Sequence, residues 1–297
     1  MKYKLHVILS LVLLFFAAQL VGLAVLNYDM KVVVTPATGV REVIHSETVL
    51  GPRPEAKDMS AFFLIMVSLL IGTALILVIM KLGKVFMWKG LYIFAVFGTL
   101  SVAFGVFLEP FLAYGLAIAL ALLKIFRQSS IVNNVSEVLI YTGIALIFAP
   151  LFSVLWITLL LLAISGYDMY AVWKSKHMIK LAEFQMKSKL FAGLSLPYAG
   201  GNKKLSSSPQ IGGRPVAILG GGDVAFPLMF STVVMEFLVA SQHISKLTAF
   251  AKVLIIPIVV SAVLFYVLYK GKKGHYYPAM PFITAGCLAG LGIVMLI

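Results

Sequence analysis

Long apolar runs separated by short polar segments fill this 297-residue chain. Seven are clear: Leu5 to Leu26, Ala61 to Met80, Gly90 to Leu108, Leu151 to Trp173, Val216 to Ala240, Leu247 to Tyr269 and Pro278 to Ile297. Each is close to the roughly 20 apolar residues that an α-helix needs to cross the hydrocarbon of a bilayer. Two shorter runs, Pro110 to Leu123 and Val138 to Phe148, fall between Glu109 and Pro150. They read either as short spans or as one re-entrant pair, and either choice leaves the direction of every later helix unchanged. The expected fold is therefore an all-α polytopic membrane protein with nine transmembrane helices. Lys2 and Lys4 precede the first run as they would in a secretory signal. That run is longer than the about 7 to 15 residues of a signal core and lacks an obvious A-x-A cleavage site, so it reads as a retained span.

Composition agrees: 61% of residues are hydrophobic and 12% are charged, which excludes a soluble domain. The formal charge of +13 could suggest nucleic acid. Its distribution points instead to loops beside anionic lipid headgroups, so no nucleic-acid partner is expected. With the N-terminus placed in the cytoplasm, eighteen of the 24 Lys and Arg fall in inner segments and six in outer ones. The bias predicts a cytoplasmic N-terminus and an extracellular C-terminus. The longest inner segment runs from Lys174 to Arg214. Its first part, Lys174 to Leu190, sets Met178, Ile179, Ala182 and Met186 against Lys176, Lys180 and Lys187. That pattern predicts a basic amphipathic helix on the inner leaflet, or an extension of the sixth span. Its second part, Ser195 to Pro215, is rich in Gly, Ser and Pro and is expected to be mobile. Asn134-Val135-Ser136 fits a glycosylation sequon, but this orientation puts it in the cytoplasm, where it is not expected to be modified.

The chemistry lies in two acids. Asp168 sits inside the sixth run, as Gly166-Tyr167-Asp168, and Asp223 in the seventh, after Gly220-Gly221-Gly222. An ionisable side chain inside a span is costly and marks a function or a partner. At about 1.5 Å per residue, Asp168 is roughly 9 Å inside the boundary at Lys174, and Asp223 about 13 Å inside Arg214 if that segment is helical. Both fall in the inner half of the bilayer, on neighbouring antiparallel spans. Glu236 lies about 20 Å further out and reads as a structural partner at the outer interface. Two ionised carboxylates at 4 Å would repel by about 4 kcal/mol at an effective dielectric near 20. The pair is thus expected to hold one proton between them. One acid can then donate to a peptide carbonyl while the other takes a proton from water and directs it at the carbon.

The glycines suit this chemistry. Gly220, Gly221 and Gly222 let a foreign backbone approach Asp223 and weaken the local helix. A non-helical segment there could pair with an unwound substrate as an added strand. Close helix packing is the plainer use of such glycines. A third element, Pro278-Ala279-Met280-Pro281, opens the last run. One cysteine, Cys287, and five scattered histidines supply no metal cluster, so no metal or cofactor is expected.

Taken in register, Tyr167-Asp168, Gly220-Gly221-Gly222-Asp223 and Pro278-Ala279-Met280 resemble the motifs of the presenilin and signal peptide peptidase family of intramembrane aspartyl proteases. That family carries Tyr-Asp on span six, Gly-x-Gly-Asp on span seven and Pro-Ala-Leu before span nine. Met280 departs from the usual leucine, a volume-conserving change. The modest inner loop is similar to the compact archaeal members. The resemblance implies one protease domain over 1–297, made of helices one to six (1–173), an inner loop (174–215) and helices seven to nine (216–297). It implies an aspartic endopeptidase with Asp168 and Asp223 as catalytic pair. Tyr167, Gly220, Gly221, Gly222, Pro278, Ala279, Met280 and Pro281 would bind substrate or shape the site. Its partners would be transmembrane-helix substrates and the bilayer of a prokaryotic plasma membrane; oligomers are possible, and no obligatory subunit is evident. A proton-coupled transporter is the main rival, since paired intramembrane acids and broken helices serve that function too. The chain shows no half-repeat and no Lys or Arg within spans six or seven to support it.

Overall fold

Apolar runs of this length close their own backbone hydrogen bonds as helices, because lipid offers no partners. The computed structural model describes residues 4–34, 41–127, 129–175, 181, 184–185, 188, 190–198, 210–211, 214–271 and 277–297. Among these are nine apolar helices. They are α1 (Leu5–Asp29), α2 (Met59–Lys81), α3 (Val85–Gly105), α4 (Pro110–Phe126), α5 (Ser130–Phe148), α6 (Val154–Met169), α7 (Gly222–Ala240), α8 (Lys246–Lys270) and α9 (Met280–Leu296). Seven are long and apolar enough to cross a membrane; α4 and α9, of 17 residues each, are shorter. The polar stretch before Val138 is helical, so α5 is longer than its apolar core suggested. The helix α8 is interrupted at Leu254. Pro257 explains this, since it has no N–H to offer the carbonyl of Val253.

Helix α7 forms the centre of the bundle: its buried side chains run on every side from Val224 to Val239. It packs against α1, α5, α6, α8 and α9. Gly22 of α1 makes one of these approaches possible, because a Cβ there would sit 2.5 Å from Leu228. At the other extreme, α2 buries only Ala61 and Ile79 and touches only α3 and α6 closely. Hydroxyls inside the bundle bond back to their own helix, as Thr142 does to Val138 and Thr232 to Leu228.

Strands close both ends. At one end β1 (Met30–Val34) and β2 (Arg41–His45) form an antiparallel hairpin between α1 and α2. There His45 bridges two helices: Nδ1 lies 2.9 Å from Asp29 of α1 and Nε2 3.2 Å from Glu236 of α7. Glu236 thus has the structural role expected of it. At the opposite end β3 (Gly193–Pro197) pairs antiparallel with β5 (Arg214–Gly220), which also pairs with the short β4 (Gln210–Ile211).

Two expectations change here. The apolar run from Val216 does not begin as a helix: 214–220 is strand, and α7 starts at Gly222. The segment 195–215 contains strand as well: Ser195 to Pro197 belong to β3, Gln210–Ile211 to β4, and Arg214 and Pro215 to β5, while 199–209 and 212–213 lie outside the described residues. The amphipathic helix expected over Lys174 to Leu190 falls largely outside the described residues. What is described is a π-helical turn, Tyr170–Lys174, that prolongs α6, and helical backbone at Leu181, Phe184 and Gln185.

Candidate active site

Helices α6, α7 and α9 pack against one another, and the end of α6 is bonded to the start of α9. Asp168 is the penultimate residue of α6 and is buried. The backbone N–H of Met280 donates to its Oδ2 at 3.2 Å. One helical turn away Ser165 and Thr284 share a hydrogen bond of 2.7 Å between their hydroxyls. This pair of contacts fixes the Pro278-to-Pro281 segment beside Asp168. Pro278 and Met280 are buried there, and Ala279 and Pro281 are partly so. Tyr167 turns elsewhere: its hydroxyl donates to Thr73 of α2 at 3.2 Å, tying α6 to the peripheral helix. The π turn follows immediately, a departure from regular helix that recurs near functional sites.

Asp223 occupies the first turn of α7, where the unbonded N–H groups of the helix favour a negative charge. Its depth therefore does not follow from nine helical residues after Arg214; a strand and the glycines lead into it. The two carboxylates lie within electrostatic reach of each other. Glycine leaves the carboxyl its place: a Cβ on Gly220 would lie 3.1 Å from Asp223 Oδ2, close enough to press on it. A Cβ on Gly221 would meet the Tyr141 ring and its hydroxyl, at 3.1 and 3.2 Å. Gly222 is looser, with the Phe226 ring 3.5 Å away.

Three further residues shape this corner, and sequence reasoning passed over them. Pro227 lies four residues after Asp223 inside α7 and cannot bond the Asp223 carbonyl, so the first turn is not locked. A proline four after the acid was a visible signal. Gln19 of α1 donates to the carbonyl of Val224 at 2.8 Å. Tyr141 of α5 backs Gly221. Nothing in the sequence marks these last two, which lie far along the chain from the residues they touch. No group of three or more metal-ligating side chains occurs among the described residues.

Residues 40–297 match the family model described as signal-peptide peptidase, presenilin aspartyl protease. Two solved structures share the fold. One is a presenilin family intramembrane aspartate protease in a C222 crystal form: 19% identical, TM-score 0.61, covering 97% of this chain and 98% of that one. The other is a presenilin family intramembrane aspartate protease in a P2 form: 20% identical, TM-score 0.59, with the same coverage. No curated protein matches the chain. The match over most of the sequence shows that this chain belongs to the signal peptide peptidase and presenilin family of aspartyl proteases.

Proposed function

We propose that this protein is an endopeptidase that cuts transmembrane helices inside the bilayer, with Asp168 and Asp223 as its catalytic pair. The observation that carries this reading is that Asp168, at the end of α6 and bonded by the start of α9, lies within electrostatic reach of Asp223 in the first turn of α7. Between them the two carboxyls hold one proton. The protonated acid donates to the scissile carbonyl. The ionised one removes a proton from a water molecule as that water attacks the carbonyl carbon. Collapse of the tetrahedral species passes a proton to the leaving nitrogen and restores the pair. The step asks for no covalent intermediate.

A helical substrate hides its amides, so it has to be unwound before attack. The strand β5 runs directly into Gly220 and Asp223 and supports a route: the substrate is drawn out as a further strand along β5. Met280, Pro278 and the glycines would then flank the drawn-out strand beside the acids. The charge distribution supports an N-terminus in the cytoplasm and, with it, a site toward the cytoplasmic side; we take the membrane to be a prokaryotic plasma membrane.

The test uses the purified chain alone, reconstituted in vesicles with a single-span reporter. The wild type is expected to release two fragments. Asp168→Asn and Asp223→Asn are each expected to lower the rate by at least about a hundredfold while keeping the thermal transition. Two variants that cleave at the wild-type rate would remove the assignment.

A further inference from the structure

An antiparallel pair of strands has two outer edges, and each is a template for a third strand. In the β3–β5 ribbon one edge is already taken, by side chains. Ser195 N–H donates to Asn134 Oδ1 at 2.8 Å, and Asn134 Nδ2 donates to the Ser195 carbonyl at 2.8 Å. One primary amide thus offers a single residue both an acceptor and a donor, as a neighbouring strand would. Asn133 Nδ2 extends the contact by donating to the Gly193 carbonyl at 2.8 Å.

This fixes the other edge as well. The one N–H of Ser195 faces Asn134, so the alternation of antiparallel pairing turns Leu194 and Leu196 toward Leu219 and Ala217. The N–H and C=O groups of Ile218 and Gly220 then point away from β3. Among the described residues no hydrogen bond meets them there.

The clamp is held from behind. Lys124 at the end of α4 donates to Asn133 Oδ1 and to Glu137 Oε1, both at 2.7 Å, with both charged side chains buried. A lysine can only donate, so it takes the oxygen of the Asn133 amide and leaves the NH2 for Gly193.

We propose that Asn133 and Asn134 are positioning residues of the protease: they close the β3 edge and hold the register that β5 carries through Gly220 to Asp223. A peptide is then admitted along the Ile218–Gly220 edge alone, and the bond presented to the acids is set by that register. The effect on cleavage rests on the strand-addition reading above; the clamp itself does not.

The experiment compares wild type, Asn134→Ala and Asn134→Asp in the full chain, with two readouts. Amide hydrogen exchange of the 193–197 segment is expected to quicken about tenfold in Asn134→Ala, from the loss of two hydrogen bonds. In Asn134→Asp, which keeps an acceptor for Ser195 N–H, the increase is expected to be smaller. Exchange in α6 should stay as in wild type. Mass spectrometry of reporter fragments is expected to show the main cut spread to neighbouring bonds in Asn134→Ala, a change that a loss of stability alone would not produce. Unchanged exchange at 193–197 overturns the clamp. Faster exchange with an unchanged cut position overturns its role in register. A wild type that makes no fragments refutes the proteolytic reading instead, and the exchange readout still decides the clamp.

Discussion

Single atoms set the limits of this site. The gap between Gly220 and Asp223 Oδ2 is filled by one methyl group, since a Cβ would stand 3.1 Å from the oxygen. Gly220→Ala is therefore expected to push the carboxyl aside without unfolding α7. Misplacing a reacting group by about 1 Å can cost about a hundredfold in rate. The contact asks for a shift of only a few tenths of an ångström, so reporter cleavage by Gly220→Ala should fall by roughly tenfold, with KM changing far less than kcat. Gly222→Ala, whose nearest neighbour is 3.5 Å away, should lose much less. Equal losses in the two variants would contradict the close contact at Gly220. The motif thus holds glycines with different reasons for being there.

Between elements, packing puts the acids in reach of one another. Asp168 depends on α9, which supplies the Met280 N–H, and α9 in turn leans on α8. Gly286 and Gly290 form the seam: a Cβ would lie 3.3 Å from Val260 Cα and 2.9 Å from Ile256 Cα. Without a hydrophobic force between helices in lipid, such small residues let backbones come close enough for dispersion to hold them. Gly290→Val is expected to cost about 1–3 kcal/mol by overpacking. It should lower the thermal midpoint in detergent and loosen the Met280 contact, seen as faster exchange at the start of α9. The break in α8 lies at this same seam, beside Ile256 and Pro257.

Over the whole molecule, charge braces the end opposite the acids. Burial opposes charge on His45, but the hydrogen bond to Asp29 and the charge of Glu236 outweigh it and raise its pKa from 6.5 to about 9. Nδ1 is hydrogen-bonded to Asp29 and Nε2 lies at ion-pair distance from Glu236, a surrounding that favours the doubly protonated ring. Arg53 also reaches Asp29, at 3.3 Å, and Lys246 donates to the Met30 carbonyl nearby. A raised folded pKa gives stability that is complete below 6.5 and fades as pH rises through about 9. The gain is on the order of 3 kcal/mol. The thermal midpoint of the wild type should fall across that alkaline window, and His45→Gln should remove most of the fall.

Much of this could be read without coordinates, for a physical reason. A bilayer imposes one local rule, a length of apolar helix, and each run either meets it or does not. The runs, their number, the two acids and the glycines before the second all follow from residues adjacent in the chain. The rule fails where the chain leaves regular helix. Val216-Ala217-Ile218-Leu219 is a short apolar run that suits a strand or a helix equally. Pairing with β3, some twenty residues upstream, makes it a strand. Asn134 looked like a sequon and proved to be the partner of Ser195. His45 looked like one of five scattered histidines and proved to bridge α1 to α7. Each of these depends on partners that only folding brings together, so no local pattern could announce them. Residue type and spacing fixed which groups the bundle had to accommodate; long-range contact chose which of them would touch.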